Sequence, residues 1–344
     1  MPDIARQERE KNLPGKMRFF LGDGMSVDVA GDRSENKRKL RSNSLRVGVI
    51  GFGEAGQIHL RHLQAAGAQV VGIVSRRRKL KAGFPIYESL SLLLPKVDAV
   101  TIAVPNHLHA ALCLEAIRAG KTVFVEKPLC ITAHELAQLE RILSSAPVPV
   151  KVGFRLRWNP SLRMLRRRLC RVRRISCIYR LGIERLAAGK GWTRRQTESG
   201  GSFFTLGVHA LDLARWLAGA QGERLSNLQA FAEHQDPSAD FPLVVSLSGI
   251  LPNGISILAG ADLRGDAPFE LDLSIEAQEG CYPDPSLPAP DPEDEHAEEI
   301  EFRGLIADFV EAAQRCEPNP EEILDYLQCH RELIRARELT ASGP

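Results

Sequence analysis

The sequence predicts an α/β fold in two parts, a parallel sheet covered by helices followed by a mostly antiparallel sheet. Three observations predict it. From Leu45 onward, strand-like and helix-like stretches alternate, and the strands are unbroken apolar runs, as in a sheet buried on both faces. The stretch VGVIGFGEAGQIH turns on Gly51, Gly53 and Gly56 between the first strand and the first helix. After Arg155 the strand-like runs follow one another too closely for crossover helices.

The elements read in order as follows. LRVGVI is a strand, 54–66 a helix and AQVVGIVS a second strand. YESLSLLL reads as a short helix and VDAVTIAVP as the third strand. HAALCLEAIRAG is a helix closed by Gly120, and KTVFVEKP is the fourth strand. TAHELAQLERILSS is a helix with Thr132 as N-cap and Glu135 at the capping-box position, and VPVKVGF is the fifth strand. A helix is expected at 160–170. The runs RISCIYRLGI, LSNLQAFAEH, PLVVSLSGILPNGISILAGADLRG and FELDLSIEAQEG are strands, with a hairpin turn at Asn253-Gly254. Residues 282–301, rich in proline and acids, read as a loop or a disordered segment, and helices are expected at 301–315 and 320–340. Residues 1–44 carry dense charge of both signs and fit none of this rhythm. They read as a poorly ordered extension, with an arm around a partner subunit, or a start at Met17 or Met25, as alternatives. The division expected is therefore 1–44, 45–154 and 155–344.

Composition excludes several classes. Of the 344 residues 44% are hydrophobic and 26% charged, ordinary values for a globular protein, and the net charge of +2 gives no sign of a nucleic-acid binder. Seven cysteines without a CxxC pair read as reduced thiols. No apolar run approaches the roughly 20 residues of a membrane span, and no signal-type segment opens the chain, so a cytoplasmic protein is expected. No His, Cys or carboxylate set has metal-site spacing, so no metal is expected. His59, on the first helix, reads as a packing residue.

The glycine turn sits where a dinucleotide needs it, after a strand and opening a helix. Gly51 permits the tight turn, Gly53 lets a pyrophosphate approach the backbone, and Gly56 lets helix and strand pack. Free N–H groups and the helix dipole favour phosphate there. NAD-binding versions usually place an acid about 20 residues on, for the ribose hydroxyls. Here VSRRRK supplies Ser75, Arg76 and Arg77 instead. Positive charge at that place suits the 2′-phosphate of NADP, with NAD as the other possibility. A solvated basic loop is the structural alternative.

Four stretches now line up: GFGEAGQIH, VPNHLH (104–109), EKP (126–128) and SGGSFFTLGVHALDLARWL (199–217). In this order and spacing the chain, over about residues 45–340, resembles the glucose–fructose oxidoreductase, inositol dehydrogenase and rhizopine oxidoreductase (Gfo/Idh/MocA) family. GFRLRWNP and Trp192 also resemble it. The resemblance implies an N-terminal Rossmann domain and a C-terminal α/β domain with a large open sheet, used for substrate and for homo-oligomer contacts. It implies an NAD(P)-dependent oxidoreductase of sugars or polyols. Carried over by motif, Gly51, Phe52, Gly53, Glu54, Ala55, Val104, Pro105, Asn106, His109, Glu126, Lys127 and Pro128 lie against the cofactor. His209 and Asp212 are the His and Asp of GxHxxD. Arg155, Trp192, Thr205, His209 and Asp212 are expected to face the substrate. The family often has an Asp four residues before that His, where this chain has Thr205, and a hydroxyl cannot carry a carboxylate's charge.

The expected chemistry is hydride transfer on a CH–OH group. His209 would take the hydroxyl proton, and Lys127 would donate to the same oxygen and stabilise negative charge. A satisfied core histidine and a strand-end surface lysine are the plain alternatives for the two. The run RMLRRRLCRVRR reads as a solvated face or as a grip on a phosphate-bearing substrate such as a nucleotide-linked sugar. No aromatics interleave with those arginines, which argues against nucleic acid. An NADP-binding sensor without catalysis remains the competing class.

Overall fold

Six short parallel strands form the first sheet: β1 (Arg46–Ile50), β2 (Gln69–Val74), β3 (Ile86–Tyr87), β4 (Ala99–Ile102), β5 (Thr122–Val125) and β6 (Val150–Val152). Their spatial order is β3-β2-β1-β4-β5-β6, the doubly wound Rossmann order. The computed structural model describes residues 44–76, 83–145, 148–233, 236–237, 239–277, 280–282 and 295–341. The expected extension (apart from Ser44), Arg77 and most of the proline-rich loop lie outside these residues.

The strands are buried because the sequence makes them apolar throughout. Val47, Val49, Val100, Ile102, Val123 and Val125 are fully covered. Helices α1 (Glu54–Ala65), α2 (Leu90–Leu93), α3 (His109–Arg118) and α4 (Ala133–Ser145) make the crossovers. The capping box opening α4 is formed: Glu135 N–H donates to Thr132 Oγ1 at 3.2 Å, and Thr132 N–H donates to Glu135 Oε2 at 3.0 Å. One expectation needs correcting. Ile86 and Tyr87 form an edge strand, so the helix in YESLSLLL covers only its second half and the sheet has six strands, not five. Two residues paired to β2 are too short a run for any periodicity to reveal.

The second sheet contains β7 (Val172–Arg180), β8 (Ser226–Glu233), β9 (Val244–Ile250), β10 (Ser256–Asp262), β11 (Glu270–Ala277) and β12 (Gly280–Tyr282). Its order is β12-β11-β7-β10-β9-β8, antiparallel except where β7 runs parallel to β10. The Asn-Gly hairpin joins β9 and β10 as expected, with Gly254 at φ +84°. Helices α5 (Pro160–Arg168), α6 (Ile183–Leu186), α7 (Gln196–Ser199) and α8 (Val208–Leu217) lie between β6 and β8, and α8 packs on β7 and β10.

The two tail helices are α9 (Glu295–Arg315) and α10 (Pro320–Ala341). α9 begins inside the stretch expected to be a loop, because the acids of EDEHAEEIE suit a helix start once the prolines have passed. Its Leu305, Ile306 and Phe309 pack on Val47, Val49 and Phe124, so the end of the chain returns to the first sheet. Among the described residues, no helix is long and apolar enough to cross a membrane.

At the switch point between β1 and β4, Gly51 adopts φ +91° and its N–H donates to Val74 O at 2.9 Å. A Cβ there would sit 2.1 Å from Ala103 O, and one on Gly56 would sit 2.2 Å from Gly51 O. Gly53 differs: a Cβ there meets nothing within 4 Å. The first and third glycines therefore close the packing and the second leaves open space. Gly51→Ala is expected to lower unfolding free energy by about 1–3 kcal/mol or more, from left-handed strain plus the clash. Urea unfolding checks this, and unchanged stability would contradict the geometry.

Candidate active site

The C-terminal ends of β1, β4 and β5 place three motif segments side by side. The glycine turn follows β1, residues 103–108 follow β4, and Glu126-Lys127-Pro128 follows β5, with a cis bond between Lys127 and Pro128. The first N–H groups of α1 have no intrahelical acceptors and open above Gly53. The open space at Gly53, the free helix N-terminus and the switch-point location fit a dinucleotide pyrophosphate. Ser75 and Arg76 follow β2 directly, next to this turn, and Arg76 is exposed. Its charge reaches Glu198, which hydrogen-bonds to Arg195.

Glu126 and Lys127 are held from different sides. Glu126 Oε1 lies 2.9 Å from Nε2 of the fully buried His59. A Cβ on Gly153 would come within 2.8 Å of Glu126 Oε2, so that glycine makes room for the carboxylate. Burial pushes Glu126 up, but the His59 hydrogen bond and the neighbouring positive charges prevail and leave it below the usual range. His59 packs against Phe124 as expected and also orients a motif carboxylate. Lys127 Nζ donates to Thr205 O at 2.8 Å. Burial depresses the Lys127 ammonium to about 8, against the opposing pull of Glu126 and helped by Arg155 and Lys190.

The partner side comes from the segment Ser199–Leu217. Gly200 (φ +84°) and Gly201 (φ +77°) turn the chain tightly, and a Cβ on Gly200 would come within 2.7 Å of Phe204. A π-helical turn, Phe203–Gly207, then leads into α8. Such turns often occur at functional sites. Thr205 is 3% exposed and its Oγ1 donates back to Gly201 O at 3.0 Å. Its carbonyl, not its hydroxyl, thus meets Lys127. His209 stacks on Tyr179 (ring centroids 5.6 Å, 18° between planes) and meets Phe154 edge-on at 6.5 Å. Burial, then the charges of Lys127 and Arg155, hold it well below the ordinary histidine range. The ring is neutral at neutral pH and can accept a proton.

Other expected residues fall into place differently. Asn106 is 6% exposed and donates to Ser199 O at 2.8 Å, joining the loop after β4 to the glycine pair. The buried His109 has Nδ1 2.7 Å from Pro128 O and Nε2 2.8 Å from Val104 O. Both nitrogens serve the backbone, so this ring shapes the cofactor loops from behind. Asp212, expected to face substrate, points into the protein. Arg157 Nε and Nη2 fork onto its two oxygens at 3.0 and 2.5 Å. Asp325 accepts from Arg157 at 2.8 Å and from the fully buried Arg215 at 2.7 Å. Arg155 is paired with Glu301 beside the site. Trp192 sits half-buried on a 3-10 turn, Gly191–Arg194, and Lys190 just before it bridges to Glu54 of α1 at 3.1 Å. Tyr179, Glu301 and Asp325 carry no motif of their own, and only the fold brings them here.

Comparison with known proteins agrees with this geometry. Residues 45–154 match the oxidoreductase family with NAD-binding Rossmann fold, Gfo/Idh/MocA, and residues 165–273 match the Gfo/Idh/MocA C-terminal domain. Over 190 residues the chain is 33% identical to the putative UDP-kanosamine synthase oxidoreductase subunit of Amycolatopsis mediterranei (strain S699), covering 51% of this chain and 52% of that protein. It is 24% identical to the scyllo-inositol 2-dehydrogenase (NADP(+)) IolW of Bacillus subtilis (strain 168), covering 90% of each. The chain spans just over half the length of the first curated relatives that it matches. Among solved structures, GenD2 from gentamicin A biosynthesis, in complex with NAD, superposes with a TM-score of 0.75 at 20% identity, covering 88% of this chain and 95% of that one.

The buried fork generates a prediction. Arg157→Ala would leave Asp212 and Asp325 short of a counter-charge in the core, and removing one member of a buried ion pair costs about 3–5 kcal/mol. Chemical denaturation reads that loss, and a change under about 1 kcal/mol would mean water already screens the network. The two family matches together span well over half of the sequence and coincide with both sheets, and the chain belongs to the Gfo/Idh/MocA oxidoreductase family.

Proposed function

We propose that the protein interconverts a secondary alcohol and a ketone on a sugar, polyol or nucleotide-linked sugar, with NADP preferred over NAD. The observation that carries this reading is a part-buried lysine pushed down to about 8, whose charge reaches a part-buried, neutral histidine, together with an open glycine turn. A bound nicotinamide supplies or accepts the hydride. In alcohol oxidation His209 accepts the hydroxyl proton, while protonated Lys127 donates to the same oxygen and stabilises its negative charge. In reduction the proton moves the other way. The stack on Tyr179 and the Thr205 carbonyl fix the two groups. Relatives named scyllo-inositol 2-dehydrogenase (NADP(+)) and putative UDP-kanosamine synthase oxidoreductase subunit support the substrate class. Chains are proposed to pair through the face of the second sheet that α8 and α10 do not cover, where Phe231 is 54% exposed.

Retention of both Lys127 and His209 argues against a sensor without catalysis. Lys127→Ala or His209→Ala is expected to leave cofactor binding nearly intact and lower turnover by about 10²–10⁴-fold. The screen runs sugars, polyols and keto-sugars with NADP(H) and follows nicotinamide absorbance. Turnover surviving both changes within about threefold would remove the pair from the chemistry.

The pH profile follows from the same groups. Lys127 is protonated below about 8 and loses its proton above. His209 is neutral above its depressed value. Rate should therefore be flat through neutrality and decline above about pH 8. An undiminished rate at pH 10 would contradict the role given to the lysine.

The NADP preference rests on Ser75 and Arg76, where a ribose-binding carboxylate is absent. An exposed guanidinium donates in a fork to the 2′-phosphate, and we expect a preference of about tenfold or more. Arg76→Ala should remove most of it and leave NAD affinity similar. Direct titration of both cofactors decides, and equal affinities in the parent protein would defeat the reading.

A further inference from the structure

The arginine run of α5 and the residues after it was expected to lie on a solvated face or to grip a substrate phosphate. It does neither. It borders a cavity of about 800 Å³, and neither Lys127, His209 nor the glycine turn lines that cavity. Trp216 and Leu217, at the far end of α8 from His209, form part of its wall. Seven residues of helix, about 10 Å, separate His209 from Trp216.

Two cation–aromatic stacks build the rim. Arg163 lies over Trp158 at 4.5 Å, and Arg166 lies over Trp216 at 4.7 Å. A guanidinium stacked face-on is held in place without using its in-plane N–H donors. Neither arginine has a carboxylate partner among the described residues. The acids within the cavity are mostly committed elsewhere. Asp308 and Glu322 hold Lys151 at 2.6 Å each, and Asp325 holds Arg157 and Arg215. Burial, then Arg157 and Arg163, press the Arg166 guanidinium down against the pull of Asp325.

We propose that this cavity is a second ligand site, separate from the active site, for a small anion carrying a diphosphate. Positioned guanidinium forks with unused donors are the chemistry that recognises phosphate oxygens in pairs. The size of the cavity admits a diphosphate ester as well as the bare anion. The site stands apart from the cofactor cleft, so the proposal does not depend on the catalytic reading.

Pyrophosphate and ADP are titrated calorimetrically into the full chain saturated with its nicotinamide cofactor, which keeps both probes out of the cofactor cleft. One saturable site is expected, and Arg163→Ala with Arg166→Ala should weaken it by about tenfold or more. Should that pair fail to fold, Arg166→Glu at an exposed position must produce the same loss. Equal affinity for the two probes would assign recognition to the diphosphate alone, and tighter ADP would add a base against the indoles; both uphold the site. No binding at about 10 mM probe, or binding unchanged in the folded variants, would overturn it.

Discussion

The Arg157 guanidinium is the constraint on which the rest of the site depends. It lies on the turn after β6, and its fork onto Asp212 ties that turn to α8, while its bond to Asp325 ties both to α10. Its flat face also rests near Phe154 and Tyr326, at 5.5 and 5.1 Å. Asp212 is one helical turn beyond His209, so anchoring Asp212 fixes how far α8 reaches toward Lys127. A buried arrangement of this kind is weak evidence of net stability, since desolvation offsets most of the attraction. Its value is geometric: the charges have partners only when the three elements stand in one arrangement. Burial shifts the Asp212 carboxyl up to about 6 against the pull of Arg157, a sign of how little water helps it.

The same economy of partners governs Lys127. This chain offers Lys127 a neutral carbonyl from a π-helical turn. A carbonyl orients the ammonium without holding its proton as a carboxylate would. The nearby cations Arg155 and Lys190 push in the same direction as burial. An ammonium poised near neutrality exchanges its proton more readily than an ordinary lysine, which suits a group that donates to an oxygen whose charge changes during the reaction.

Much of this was legible in the sequence, and the reasons are local. A glycine turn between an apolar strand and a helix obeys short-range sterics, so Gly51, Gly53 and Gly56 could be assigned their separate tasks from spacing alone. The capping box at Thr132 and the Asn-Gly hairpin are local in the same way. Long-range pairing was not legible. Nothing near Asp212 in the chain announces that Arg157, 55 residues earlier, takes its carboxylate. Nothing near His59 announces Glu126, and nothing in the arginine run announces that two tryptophans far apart in the sequence will stack beneath it. The substrate role expected for Asp212 followed its motif, whereas in the structure both carboxylate oxygens are taken by Arg157.

The central claim is that the glycine turn, Lys127 and His209 form one hydride-transfer site. A crystal structure of the protein with bound NADP tests it most directly. The account predicts the pyrophosphate above Gly53 at the N-terminus of α1, the 2′-phosphate beside Ser75 and Arg76, and the nicotinamide ring between Lys127 and His209. A nicotinamide lying away from both side chains, or a pyrophosphate that does not touch the turn, would contradict it.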